Sequence, residues 1–416
     1  MPSRLNLRAF CQRPAWGLRL LGATLATSCQ EKPGATPQPH AAVASVRLSA
    51  DSVRAGTGQT VQLQALVRDA KGRVLPNRLV TWRSFHDTTA TVSSSGLVRL
   101  LREGTTHVTA TCEGRTGRAQ VRAYALLPRH PYVSFQQAPA QLQPWAGAHV
   151  VLLTPESDLD PRLMQRLVSS LDGGYAYYRL VTGREPSRHP VYSYQGKGTV
   201  ASVAQTCGVA CGKIGATGIE LVHPWFSAWY AGVRDYGQHR TTLFYELGRN
   251  YWFYWDQLYY AGCQLDVATG YAHLMKYMAT DYLRLPLSPI EAEQRRALEA
   301  VAATYLHTPA WDWQRVVTSG QAPGGAGPPV GGQLLFAALL LRLQAQYGGQ
   351  AFIERFWREV GHRPPTARLQ DAIDNLALAA CAGANGNLLH VLAQQWRFAL
   401  SSAAHQEAQA RFGNPL

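Results

Sequence analysis

Apolar and polar residues alternate along the first third of the chain and then give way to a different rhythm. Val61, Leu63, Ala65 and Val67 take every second place, as do Val108, Ala110 and Cys112, and then Val121 and Ala123. A period of two puts one face of a strand in a core and the other in water, so these runs predict half-buried strands. Turn sequences at Ala55 to Gly58, Asp69 to Gly72, Ser94 to Gly96 and Glu113 to Gly117 fall between them, the spacing of a β-sandwich. A connector with Pro128, Pro131, Pro139 and Pro144 leads to the apolar run Val150 to Leu153, which predicts one more strand. Asp160 to Thr182 then carries Leu163, Leu167 and Leu171 at helical spacing, with Tyr175, Tyr177 and Tyr178 beyond a Gly pair. From Thr241 onward the pattern is almost wholly helical, broken by the Gly/Pro loop from Ala322 to Gly332. The expected fold is multidomain: an all-β sandwich at 44–125, then a mainly helical α+β domain at 130–416.

The first 28 residues fit neither domain. They have a basic start, a short apolar stretch from Leu18 to Ala26, and small residues before Cys29, which is the layout of an export signal. Leu25-Ala26-Thr27-Ser28-Cys29 resembles a bacterial lipobox, which implies cleavage before Cys29, a lipid on its thiol, and membrane attachment through that anchor. Arg19 within the apolar stretch and Ala26 before the cysteine depart from the pattern, so plain secretion is the alternative. Residues 29–43 read as a flexible tether.

The formal net charge of +14 falls by four without the leader, whose Arg4, Arg8, Arg13 and Arg19 face no acid. The remaining arginines are scattered and accompany no nucleic-acid-binding motif, so nucleic acid is not an expected partner. Export also sets the redox setting of Cys207, Cys211, Cys263 and Cys381: at least one disulfide is expected, with Cys207 and Cys211 in a Gly-flanked loop as first choice. Four buried thiols are the alternative.

Val46 to Val121 resembles the bacterial immunoglobulin-like group 2 domain. The resemblance rests on Gly58-Gln-Thr-Val-Gln-Leu63, Asp69-Ala-Lys-Gly72, Val80-Thr-Trp-Arg-Ser84, Ala90-Thr-Val92, Gly96-Leu-Val98 and Gly104-Thr-Thr-His-Val-Thr-Ala110. It implies a spacer or adhesive module without chemistry, with Trp82 filling the space between sheets; His86 and Asp87 read as exposed turn residues.

The second domain carries a different signal. Glu246-Leu-Gly-Arg-Asn250 followed by Tyr251-Trp252-Phe253 resembles the E-L-G-H-N-x-W-F pattern of gluzincin-type zinc peptidases, and Ala268-Thr-Gly-Tyr-Ala-His-Leu-Met275 is similar to their third-ligand helix. The run from Asp371 to Leu389, with Gln395, Trp396 and Phe398, resembles their terminal helices. The likeness implies a zincin-like fold in which Tyr245 and Arg249 take the two histidine places of H-E-x-x-H, Thr269 the place of the third ligand, and Glu246 that of the general base. A guanidinium is permanently cationic and cannot coordinate zinc, so no metal or other cofactor is expected. An Arg249–Glu246 ion pair or shared hydrogen-bond network would replace it. His223, His239, Asp256, His273 and Glu291 are the remaining ligand types, none forming an i, i+4 pair with another. An ordinary amphipathic helix, with the likeness accidental, is the rival reading.

The expected function is a cell-surface lipoprotein whose non-catalytic peptidase-like domain binds a surface peptide or glycan. A hydrolase using Glu246 and a structural envelope spacer are the alternatives. The aromatic clusters Trp225 to Tyr230 and Phe244 to Tyr260 read mainly as core, with sugar stacking open to any face that lines a cleft.

Overall fold

The computed structural model describes residues 41–416 except 261, 263, 264, 325 and 326. The expected leader, Cys29, most of the tether and Cys263 lie outside the described residues. The first domain comprises β1 (Ser45–Leu48), β2 (Ser52–Gly56), β3 (Thr60–Gln62), β4 (Ala65–Arg68), β5 (Thr81–Ser84), β6 (Ala90–Val92), β7 (Leu97–Leu100), β8 (Gly104–Cys112) and β9 (Arg115–Tyr124). A sheet in the order β2-β9-β8-β5 packs on the sheet β3-β7-β6, and β1 pairs with β4. Val98, Val108, Ala110 and Val121 are fully buried between them. A large aliphatic side chain so placed contributes roughly 1.5–3 kcal/mol.

Two expectations for this domain are corrected. The single strand expected from Val61 to Val67 breaks into β3 and β4, because the chain changes sheets at Leu63 and Gln64. Leu63 donates its amide to the Gly96 carbonyl on one side (2.9 Å), whereas the Gln64 amide reaches Ser49 Oγ on the other (3.1 Å). Trp82 is only half-buried and packs against the edge of the core. Its indole covers Gly96, whose φ of +83° and lack of Cβ allow the turn beneath the ring.

The second domain opens with β10 (His130–Val133), β11 (Pro139–Ala146), β12 (Val150–Thr154), α1 (Pro161–Thr182), β13 (Ser193–Tyr194), β14 (Lys197–Val203), β15 (Ala210–Gly212) and β16 (Ile219–Val222). The sheet order is β10-β11-β12-β14-β16-β15, with β13 against β14. The central strands β12, β14 and β16 are parallel, and β15 closes the sheet antiparallel to β16. The proline-rich stretch read as a connector therefore supplies two strands, with Pro131 on an outer strand and Pro139 at a strand start, places where the missing N–H is tolerated. Val150, Leu152, Val200, Ile219 and Leu221 face the helices, while Val151, Leu153, Ala201 and Val203 pack with Tyr132 and Tyr192 on the opposite face. Burial on both faces explains why β12 reads as a continuous apolar run rather than an alternation.

The helices are α2 (His223–Tyr236), α3 (Thr242–Asn250), α4 (Trp255–Leu258), α5 (Val267–Tyr282), α6 (Pro289–Leu306) and α7 (Trp313–Ser319). After the short strands β17 (Gln321–Ala322) and β18 (Val330–Gly331) come α8 (Gly332–Gln346), α9 (Gln350–His362), α10 (Leu369–Ala384), α11 (Leu389–Gln394) and α12 (Ser402–Phe412). No helix among the described residues is long and apolar enough to cross a membrane.

Helix α1 starts at Asp160, whose carboxylate accepts from the Arg162 amide (2.8 Å), and stops at Gly183 in the left-handed conformation. The Gly pair lies inside it. A Cβ on Gly174 would stand 2.9 Å from the Phe244 ring, so the bare backbone lets α3 approach. Two tyrosines then lock that approach: Tyr178 donates to the Phe244 carbonyl (2.6 Å) and Tyr251 to the Tyr175 carbonyl (3.1 Å).

Candidate functional site

Helices α3 and α5 bring Tyr245, Glu246, Arg249 and Thr269 to one place beside β15. The helices pack closely because Gly248 faces Ala272: a Cβ on Gly248 would lie 3.1 Å from the Ala272 Cα. Asn250, at the end of α3, donates to the Lys213 carbonyl (2.7 Å) and so ties the helix to the loop between β15 and β16. Asp266 caps α5 by accepting from the Thr269 amide (2.9 Å), and its second carboxylate oxygen accepts from the Thr269 hydroxyl. That cap orients Thr269 toward α3, where Arg249 Nη1 donates to Thr269 Oγ1 at 3.0 Å.

The expected Arg249–Glu246 pair does not form. Arg249 reaches across to α5, because the hydroxyl and the Asp266 carboxylate behind it offer an acceptor chain on that side. Glu246 is 7% exposed, and no side chain among the described residues donates a hydrogen bond to it. Burial pushes its carboxyl up to about 7, opposed by the charge of Arg249 and the backbone amide of Gly212. Gly212 lies so close that a Cβ there would stand 2.7 Å from the Glu246 carbonyl oxygen and 3.0 Å from Oε2. Burial also raises the Tyr245 phenol, with Arg249 pulling it back down. The His273 ring meets Tyr245 edge-on at 5.0 Å between centroids, and burial drives its pKa down to about 4.

The zinc implied by the gluzincin resemblance does not fit these side chains. Arg249 hydrogen-bonds Thr269, so the two places from which ligands would converge hold each other instead. A guanidinium there repels a divalent cation. Among the described residues, no three His, Cys, Asp or Glu side chains gather as metal ligands. The other candidates have separate surroundings: His223 Nδ1 pairs with Ser202 Oγ (2.9 Å), Glu291 accepts from the Thr241 hydroxyl (2.5 Å), and the Asp256 carbonyl accepts from the Thr366 amide (2.7 Å).

Cys207 and Cys211 form a disulfide that pins the loop entering β15, whereas Cys381 is a free, buried thiol. The Gly-rich run from Cys207 to Glu220, which reads in the sequence as a disulfide-pinned loop, thus contains β15 and the start of β16, and Glu220 on β16 is completely buried. Glu220 accepts from the Tyr132 hydroxyl (3.0 Å), the Phe135 amide (2.7 Å) and the Thr206 hydroxyl (2.8 Å). Burial raises its pKa and these three donors oppose the shift. Sequence reading missed Glu220, Gly212 and Asp266. Asp266 alone had a local sign, an Asp three places before Thr269 at a helix start.

The aromatic residues are mainly core: Tyr251, Trp252, Tyr254, Phe226 and Trp229 are buried, with Trp255 and Tyr259 partly exposed. His86 and Asp87 are exposed in the β5–β6 turn.

Comparison with known proteins resolves the first domain. Residues 42–122 match the family model of the bacterial Ig-like domain, group 2. This Ig-like domain is the sandwich described above. No curated protein matches the chain. Among solved structures, domains 4 and 5 of the S-layer protein SbsC match over 20% of this chain and 53% of that one, at 22% identity and a TM-score of 0.19. An intimin mutant of EHEC O157:H7 matches over 22% of this chain and 54% of that one, at 16% identity and a TM-score of 0.17. This chain spans about half the length of each. A functionally unknown conserved protein from Bacillus anthracis str. Ames matches over 81% of this chain and 71% of that one, at 10% identity and a TM-score of 0.46.

Proposed function

We propose that this is an exported cell-surface protein in which the Ig-like domain carries a metal-free, zincin-like binding domain. The Arg249–Thr269 hydrogen bond carries the reading, because it joins two side chains that stand where the peptidase resemblance calls for metal ligands. The Cys207–Cys211 disulfide supports export, since such bonds persist in oxidising compartments. Attachment through a lipid on Cys29 belongs to the same proposal. The ligand is a surface peptide or glycan. An extended peptide suits the outer edge of β15, which among the described residues pairs only with β16 and runs beside Glu246.

Elemental analysis of the purified chain tests the reading. No stoichiometric zinc is expected, and one zinc per chain overturns it. The combined substitutions Tyr245→His, Arg249→His and Thr269→Glu supply three ligands on α3 and α5 and should create a zinc site; failure of a folded variant to bind the metal counts against the zincin-like geometry.

A second reading has an observation of its own: a carboxyl that titrates near 7 can act as acid and base at neutral pH. Under it, Glu246→Gln abolishes turnover on a protein and glycoprotein panel, and equal activity in the variant removes hydrolysis by Glu246.

A further inference from the structure

A second feature of the helical domain lies apart from the α3–α5 site and does not depend on how that site is read. An open cleft of about 840 Å³ is bounded by α1, the end of α2 and the segment after α5. Arg162, Gln165, Arg166 and Ser169 present one face of α1 to it, at the i, i+3, i+4, i+7 spacing of a helical stripe. Among the described residues neither guanidinium has an ion-pair or hydrogen-bond partner, Arg162 bonding only through its backbone amide, and no Asp or Glu lines the cleft. Tyr236, with 75% of its surface free, lines the cleft together with the apolar side chains Leu283 and Leu285.

The lining also contains a side chain whose hydrogen bonding is incomplete. His239 is 5% exposed, and its Nδ1 has no partner. Two neighbours share the deficit: Trp229 Nε1, whose ring lies 6.3 Å from the imidazole, and Ser288 Oγ, whose backbone amide bonds the His239 carbonyl. Buried polar atoms are nearly always satisfied, so the open Nδ1 of His239, which lines the cleft, marks a place for a polar occupant. Burial, aided by the positive charge of Arg166, holds His239 neutral, with a pKa of about 4.

We propose that this cleft binds an acidic carbohydrate, its carboxylate or sulfate held by Arg162 and Arg166 and its ring stacked on Tyr236. Two guanidinium forks four residues apart suit a planar or tetrahedral anion. A solvent-facing phenol offers the apolar face and polar tip that a pyranose ring uses. The volume falls within the range of small-ligand sites. A peptide strand finds no ladder here, because His239 already donates to the Pro286 carbonyl (2.7 Å) and accepts from the Ser288 amide (3.2 Å).

Titration calorimetry on the purified chain tests this with four hexameric probes: oligogalacturonate, a heparin oligosaccharide, uncharged maltohexaose and hexaglutamate. Oligogalacturonate or the heparin hexamer should bind, the tighter one showing whether carboxylate or sulfate is preferred, while maltohexaose and hexaglutamate should not. Arg162→Gln with Arg166→Gln should weaken binding about tenfold or more, the loss expected for charge-assisted bonds. Tyr236→Ala should weaken it severalfold. Arg54→Gln with Arg118→Gln, an equal charge change at exposed positions of the Ig-like domain, should leave it intact. The proposal is overturned if neither acidic oligosaccharide binds, if hexaglutamate binds as tightly, or if the control pair weakens binding as much as the cleft pair.

Discussion

Glu246 is a side chain whose surroundings change its acid–base behaviour within the physiological range. Its carboxyl is raised to about 7 by burial, whereas in the unfolded chain it titrates near 4.5. A raised carboxyl pKa means that the folded state holds its proton more tightly. The associated stability is present below pH 4.5 and is lost as pH rises through about 7. The shift corresponds to about 3 kcal/mol. His239 and His273 act in the opposite direction: burial lowers both to about 4, so each costs stability as pH falls from 6.5 toward 4. The wild-type profile is a sum of opposed slopes, and a variant must separate them. Glu246→Gln should be more stable than wild type at pH 8 by an amount that shrinks toward zero near pH 4.5, read from urea midpoints. A constant difference across that range would mean that Glu246 is not the titrating group. The sequence showed that Glu246 is acidic and sits on a helix; its pKa depends on the layers folded over it.

At the scale of elements, the site is built by close approach. Strand β15 can lie against α3 only because residue 212 has no side chain. A methyl group there would meet both the Glu246 backbone and its carboxylate, so Gly212→Ala should cost roughly 1–3 kcal/mol of stability, the usual penalty of overpacking. Gly208→Ala, whose Cβ meets nothing closer than 3.7 Å, is the control and should be near neutral. Equal thermal midpoints for the two variants would show that the α3–β15 approach is looser than described. Helix α1 and the helices from Thr241 onward were readable from apolar spacing, whereas α2, whose residues read as an aromatic cluster, was not. The strands β10, β11, β15 and β16 were not. Prolines and glycines disguise them, and three-residue β15 is too short to show a period.

For the whole molecule, the disulfide connects compartment and architecture. Replacing Cys207 and Cys211 by Ala should cost up to about 2 kcal/mol, the loop-closure value for so short a ring, and should speed amide exchange at Cys211 and Gly212. Unchanged exchange there would mean that β15 is held by β16 alone. The sandwich architecture was legible from three alternating runs and the turn residues between them, because these are local signals whose physics lies within a few residues. The helical content of the second domain was legible for the same reason. Convergence was not: Tyr245 and Arg249 flanking Glu246 are visible in a line of letters, but nothing local says that Arg249 will turn to Thr269 rather than Glu246. Nor does it say that Arg162 and Arg166 will share a cleft with His239, 73 residues away along the chain, counting from Arg166. Those outcomes depend on which surfaces are buried together and which charges then lack partners, and packing across distant segments decides both.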